Sequence, residues 1–306
     1  MKNLFSALIL FTIMILGFLY HEQISDFVID NIIAPKKVIT YESNQYTEKI
    51  NYDYLKINDS FFPKNKQDII NIIYTRLDQG VSEFYFYCED DYPTCSDDIK
   101  DISSNQDTLS ELNNFVHPSN SYNKLSIAFD SFGKITINID KLYSNDEINQ
   151  INKVVDEILK NNINEHMDTT TKIRTIHDYI INKTKYDNKK ADAIKNGTPL
   201  PDDYASQKAY GPLIEGMGIC GGYSDAMSIF LWKLGIKNYK IASSNHVWNL
   251  VNLNNKWYHL DLTWDDPVTS DGTDAIIDDF FLIDTNTLQN LDLTQHTFNK
   301  NIYQEA

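Results

Sequence analysis

Two adjacent asparagines, Asn254 and Asn255, place the tightest constraint on this chain. They sit between two aromatic-rich runs, KIASSNHVWNLVNL and KWYHLDLTWDD, which read as strands. Asn tolerates the positive φ that both central positions of a two-residue hairpin turn require. Such a turn leaves no freedom of register: Leu253 faces Lys256, Trp248 faces Asp261 and His246 faces Thr263. His246 and Asp261 then share one face as diagonal neighbours, about 7–8 Å apart at Cα and within side-chain reach. Asp is depleted in strands, so Asp261, between Leu260 and Leu262, needs a partner.

Upstream, GICGGYSD (218–225) sets a single cysteine among glycines and is followed by MSIFLWKLGI. The pattern places Cys220 at the start of a helix running to about Leu234. A cysteine there is either a small buried hydrophobe or a nucleophile. A helix N-terminus carries partial positive charge and free N–H groups, which stabilise a thiolate and can bind an oxyanion. Gly221 and Gly222 permit close approach and leave room for a substrate backbone. Cys, His and Asp in this order, on a helix start and two neighbouring strands, follow the logic of a cysteine acyl-transfer enzyme.

The remainder of the chain narrows the setting. With 306 residues, about two domains of roughly 100–200 residues are expected. A hydrophobic fraction of 42 % suffices for a core. The net charge of −16, without a basic patch, argues against nucleic-acid binding. MKNLFSALILFTIMILGFLY has no charge from Leu4 to Tyr20, at the short end of what spans a bilayer. It reads as an uncleaved signal anchor with the bulk of the chain outside, or as a cleaved export signal. The three cysteines are Cys88, Cys95 and Cys220. An odd count suggests one pair and one free thiol. Cys88 and Cys95 bracket EDDYPT, a loop a disulfide could close, and the alternative leaves both unpaired.

The expected organisation is a signal anchor over 1–22, a juxtamembrane linker over 23–37, a small α+β domain of unknown role over 38–143 and a second domain over 144–306. KNKQDIINIIYTRLDQG and TLSELNNFV read as helices, VSEFYFYCE as a strand, KLSIAFD and ITINID as a hairpin. Ser144 and Glu147 form a capping box. His177 reads as a packed histidine.

AYGPLIEGMGICGGYSDA, SNHVWNLV and KWYHLDLTWDDP closely resemble the three core motifs of the transglutaminase-like superfamily, in particular its bacterial exported branch, and HDYIINKTKYD resembles the helix before that core. The resemblance covers roughly 165–270. It implies an α+β, papain-like fold, with a helix carrying the cysteine packed on an antiparallel sheet carrying His and Asp. It implies Cys220 as a nucleophile forming a thioester with a protein or peptide carbonyl, His246 as base and then acid, and Asp261 as its orienter. The Cys220 N–H is the natural oxyanion donor, with Gln207 and Tyr210 as candidates for a second. Gly221, Gly222, Tyr223, Trp248 and Trp264 are candidates to line the cleft. The family holds cross-linking acyltransferases, peptidases, amidases and inactive members.

No cofactor is expected. Animal transglutaminases use calcium, but the acidic run DDPVTSDGTDAIIDD lacks EF-hand spacing and reads as a solvated loop. A metal site built on His246, His259, Asp261 and Cys220 lacks the close cysteine pairs of structural zinc. The reading is therefore a membrane-anchored extracellular cysteine enzyme acting on cell-wall or surface proteins. The alternative is an inactive transglutaminase-like module that binds there.

Overall fold

The computed structural model describes residues 2–28, 40–42, 54–56, 62–130, 133–198, 205–267 and 276–306. The N-terminal run forms α1 (Lys2–Leu19), followed by α2 (His21–Val28). Phe11, Met14 and Phe18 of α1 are exposed. The expected membrane span needs correction: among the described residues no helix is long and apolar enough to cross a membrane. Most of the linker and of the strand-like run after residue 37 lies outside the described residues. Only β1 (Thr40–Glu42) and β2 (Tyr54–Lys56), an antiparallel pair, fall within them.

The next segment starts with α3 (Lys66–Asp78), capped by Asn65, whose side chain accepts from the Asp68 amide. Ile69, Ile72, Ile73 and Leu77 are its buried face. Then come β3 (Glu83–Tyr87), α4 (Cys95–Ser104), α5 (Gln106–Phe115), β4 (Tyr122–Phe129) and β5 (Lys134–Lys141), with the strands in the antiparallel order β3-β5-β4. Cys88 and Cys95 are joined by a disulfide, Cα to Cα 5.8 Å. Cys95 is also the first residue of α4, a helix the sequence reading does not contain. Asp97 and Asp98 in its first turn suit the helix dipole, and Ile99 and Ile102 are buried one turn apart.

The capping box at Ser144 opens α6 (Asn145–Asn162), followed by α7 (Thr169–Lys183), β6 (Lys185–Tyr186) and α8 (Asn188–Lys195). A tight turn (Ala205–Gln207) and a π-turn (Gly211–Glu215) lead to β7 (Met217–Gly218), paired in parallel with β6. From there α9 (Cys220–Lys233) runs through the molecule, buried at every residue from Gly222 to Leu231. A sheet of order β11-β10-β9-β8 packs against it, built from β8 (Asn238–Ala242), β9 (Val247–Leu253), β10 (Lys256–Leu260) and β11 (Phe281–Ile283). The last helix is α10 (Thr285–Leu291).

Asn254 and Asn255 have φ of 54° and 64°, and the ladder pairs Lys256 with Leu253 through Leu260 with Asn249. Two apolar cores result. One joins α6, α7 and α9 to the α9-facing side of the β9–β10 hairpin, through Val251, Leu260 and Leu262. The other unites the α3–β5 segment with the opposite side of that sheet, including Tyr239, Ile241, Trp248 and Leu250.

Candidate active site

Three local devices set the position of Cys220. The Ile219 amide donates to the Ser206 carbonyl at 2.9 Å, laying the Ala205–Gln207 turn across the start of α9. That crossing explains the glycines. A Cβ at Gly221 would meet the Gln207 carbonyl oxygen at 2.6 Å, and one at Gly222 would press on the Ser206 carbonyl oxygen and on Pro212. The glycines therefore admit the protein's own backbone, where the sequence suggested space for a substrate. The N-cap, Ile219, supplies no side-chain bond, so the first amides of α9 have no side-chain partner at that cap. Cys220 is a free thiol of intermediate exposure.

Asn249 fixes α9 to the sheet. Its Nδ2 donates to the Ser224 carbonyl at 3.0 Å and to Ser228 Oγ at 2.9 Å. His246 precedes β9 in a turn closed by its own amide donating to Ser243 Oγ at 3.1 Å. The imidazole stacks on Trp248, with centroids 5.6 Å apart and planes 16° from parallel. Its Nε2 lies 2.5 Å from Asp261 Oδ2. With Nε2 so engaged, Nδ1 is the nitrogen left for the Cys220 thiol, which is near enough to raise the His246 pKa. Burial alone would lower the His246 pKa. The Asp261 charge, the Asp261 hydrogen bond and Cys220 outweigh it and push the pKa up to about 10.

Asp261 follows β10 and is fully enclosed. Its amide donates to the Phe280 carbonyl. Its Oδ1 accepts from the amides of Thr263 at 2.9 Å and Trp264 at 3.3 Å. Its Oδ2 meets a second imidazole, His296 Nε2, at 2.9 Å. Burial opposes its ionisation, but His246 and then His296 hold the carboxyl well below the usual range. His296 is missing from the sequence reading. It follows α10 in a stretch without periodicity, and its nearest signal is Asp292 four residues earlier, whose Oδ2 lies 2.9 Å from His296 Nδ1.

The other expected residues fall as follows. Gln207 is partly exposed beside the start of α9. The Tyr210 hydroxyl donates to Gln150 of α6 at 3.1 Å, so it is engaged there. Tyr223 and Trp248 are buried to 1 % exposure, which makes them core residues and not cleft walls. Tyr223 gives its hydroxyl to Asp266, and Trp248 donates to His259 Nδ1 at 3.1 Å. Trp264 is partly exposed and packs on Phe280 and His296. Tyr186, unremarked in the sequence, lies near the thiol: burial, and then Cys220, raise its hydroxyl pKa.

His259 takes no part in the cluster. It is buried between Trp248 and Thr285, and burial and His296 push its pKa down to about 3. His246, Asp261 and His296 bring three donor atoms within 4.8 Å of one another. At 2.5 Å, however, His246 Nε2 and Asp261 Oδ2 are closer than the roughly 3.4 Å between two tetrahedral zinc ligands. The cluster is a hydrogen-bonded one.

The family model of the transglutaminase-like superfamily matches residues 157–262. No curated protein matches the chain. Among solved structures, a transglutaminase (described as a TGase) is 12 % identical over 67 % of this chain and 59 % of its own, with a TM-score of 0.36. A chain described as a candidate cysteine protease from Cytophaga hutchinsonii is 12 % identical over 46 % of this chain and 61 % of its own, with a TM-score of 0.28. The chain thus spans about three fifths of the length of either. The match to the transglutaminase-like superfamily thus lies over residues 157–262, the stretch that holds Cys220, His246 and Asp261.

Proposed function

We propose that this protein is an exported cysteine enzyme that transfers or hydrolyses acyl groups of protein or peptide amides through a thioester on Cys220. The observation that carries this reading is a free, partly exposed thiol at a helix start, near enough to raise the pKa of an imidazole that a buried carboxylate holds at 2.5 Å. In the proposed reaction, the thiol proton already rests on His246 Nδ1, whose raised pKa keeps the imidazole protonated, and the Cys220 sulfur attacks the carbonyl carbon as the thiolate. The oxyanion is received by the first amides of α9, the Cys220 N–H among them. His246 returns the proton to the departing nitrogen, leaving the thioester. An amine or water, deprotonated by His246, then attacks the thioester, and the thiol is restored. Asp261 keeps His246 oriented and balances the imidazolium charge.

Export is supported by the Cys88–Cys95 disulfide, a bond that persists in oxidising compartments, and by the apolar stretch of α1. On this reading the substrates are proteins or wall peptides at the cell surface.

The test is the alkylation rate of Cys220 as a function of pH, with His246→Ala alongside. An activated pair labels fast well below the free-thiol pKa of about 8.5, and His246→Ala removes that advantage. Cys220→Ala abolishes both labelling and turnover of glutamine-containing peptides. Slow labelling with an ordinary thiol profile would instead favour a binding module built on the same core.

A further inference from the structure

We propose that His296 is a positioning residue for this reaction: a doubly protonated imidazole, clamped between Asp292 and Asp261, that holds the Asp261 carboxylate against His246 and shares its charge. The inference rests on the catalytic reading of Cys220, His246 and Asp261 and adds a fourth member to that set.

The hydrogen-bond geometry requires it. Both ring nitrogens of His296 face carboxylate oxygens: Nε2 lies 2.9 Å from Asp261 Oδ2 and Nδ1 2.9 Å from Asp292 Oδ2. An ionised carboxylate only accepts hydrogen bonds, and a neutral imidazole has only one N–H. A neutral His296 would therefore set a lone pair against a lone pair in one of the two contacts, inside a site where its side chain is 0 % exposed. Protons on both nitrogens satisfy both contacts. The two carboxylates are themselves committed as acceptors. Asp261 takes the amides of Thr263 and Trp264 and both imidazoles. Asp292 takes the amides of Thr294 and Gln295 and the Thr294 hydroxyl. Burial opposes the ionisation of both, and those donors hold both pKa values below the usual range.

Apart from the two carboxylates, it is rings that pack against His296 among the described residues. His246 meets it edge to face at 5.2 Å, Trp248 and Trp264 close two further sides, and Phe280 stacks on it. Of the other titratable groups around the cluster, Asp265 adds negative charge beside Asp261. His259 is kept neutral by burial, with His296 itself among the causes, while Cys220 acts on His246 and on Tyr186.

The chemical consequence concerns His246. Asp261 Oδ2 accepts from two imidazoles, so its charge does not belong to His246 alone. A lone carboxylate at 2.5 Å would make His246 a strong base but a poor acid, and the departing nitrogen needs a proton from it. The second cation loosens that proton while pinning the carboxylate.

Two measurements on the full chain test the proposal. Ring-nitrogen NMR of histidine-labelled wild-type protein at neutral pH should show His296 with both nitrogens protonated. One bare ring nitrogen overturns the proposal, whatever any variant does. Iodoacetate labelling of Cys220 against pH should give a bell, whose alkaline limb reports loss of the His246 proton. In His296→Gln, which keeps a donor for Asp261 but no charge, that limb should move up by about one pH unit. A loss of rate with the limb unmoved overturns the proposal, because His296 would then be merely structural. Should His296→Gln fail to fold, the wild-type ring measurement decides. If wild-type Cys220 labels like an ordinary thiol while His296 is doubly protonated, the catalytic reading fails and the assignment of His296 as a clamped cation stands.

Discussion

His246 shows how far a side chain can be moved from its solution behaviour by two contacts. Burial pushes its imidazole toward neutrality, yet Asp261 and Cys220 raise its pKa from the ordinary 6.5 to about 10. The native state therefore holds that proton more tightly than the unfolded chain does. The resulting stabilisation is complete below about pH 6.5 and is lost as pH rises through about 10. Urea unfolding of wild type and His246→Gln between pH 6 and 10 checks this. The wild type should lose stability across the range relative to the variant, and parallel curves would show that the His246–Asp261 contact does not hold in solution. His259, nearby, has the opposite character. It is kept neutral by burial among Trp248, Phe298 and Thr285, so acid and not alkali works against it.

At the scale of elements, the Cys220 helix is held by polar contacts on its buried sides as much as by apolar packing. Asp225, one turn beyond the thiol, pairs with Lys240 of β8 at 2.5 Å and accepts the Tyr143 hydroxyl at 2.6 Å. Tyr143 in turn accepts from the Ala209 amide at 2.7 Å. Lys240→Ala leaves the Asp225 carboxylate buried without its cation and should destabilise the protein by about 3–5 kcal/mol. Replacing Asp225 and Lys240 together by Leu and Met should cost less than that single change. Chemical denaturation of the two variants provides the comparison. The elements most legible in the sequence are those specified locally. The Asn254-Asn255 turn sets its hairpin's register, Ser144 and Glu147 write the start of α6, and the isoleucines of α3 mark its face. What escaped was specified by contacts distant along the chain. His296 finds Asp261 across 35 positions, and no spacing rule connects them. Gly221 and Gly222 are explained by a turn some fifteen residues earlier, which their own neighbourhood does not announce. Tyr223 and Trp248 look like cleft aromatics in sequence because nothing local tells that both faces of the hairpin are covered.

For the whole molecule, the second apolar core matters most. It takes residues from α3, α4, α5 and β3–β5 and also from β8, β9 and the segment after α10. Phe115 of α5 packs on Tyr239 and Tyr303, with centroids at 4.9 and 5.6 Å, and Asn114 hydrogen-bonds the Tyr303 hydroxyl at 2.7 Å. The sheet next to His246 and Asp261 is thus covered on its far side by the first half of the chain. A fragment of residues 144–306 alone would bare that face. It should show dye binding to exposed apolar surface and poor NMR dispersion. A well-dispersed spectrum with a cooperative melt would show that this core is dispensable.

The short span of the disulfide bears on how the protein is made. Cys88 and Cys95 are seven residues apart, and both leave the ribosome and any export channel long before Cys220. A local pair of this kind can close while its competitor has yet to emerge. If the chain is exported as proposed, an oxidising compartment finds no second free thiol by the time Cys220 arrives. On that reading, order of synthesis guards the lone thiol against mispairing.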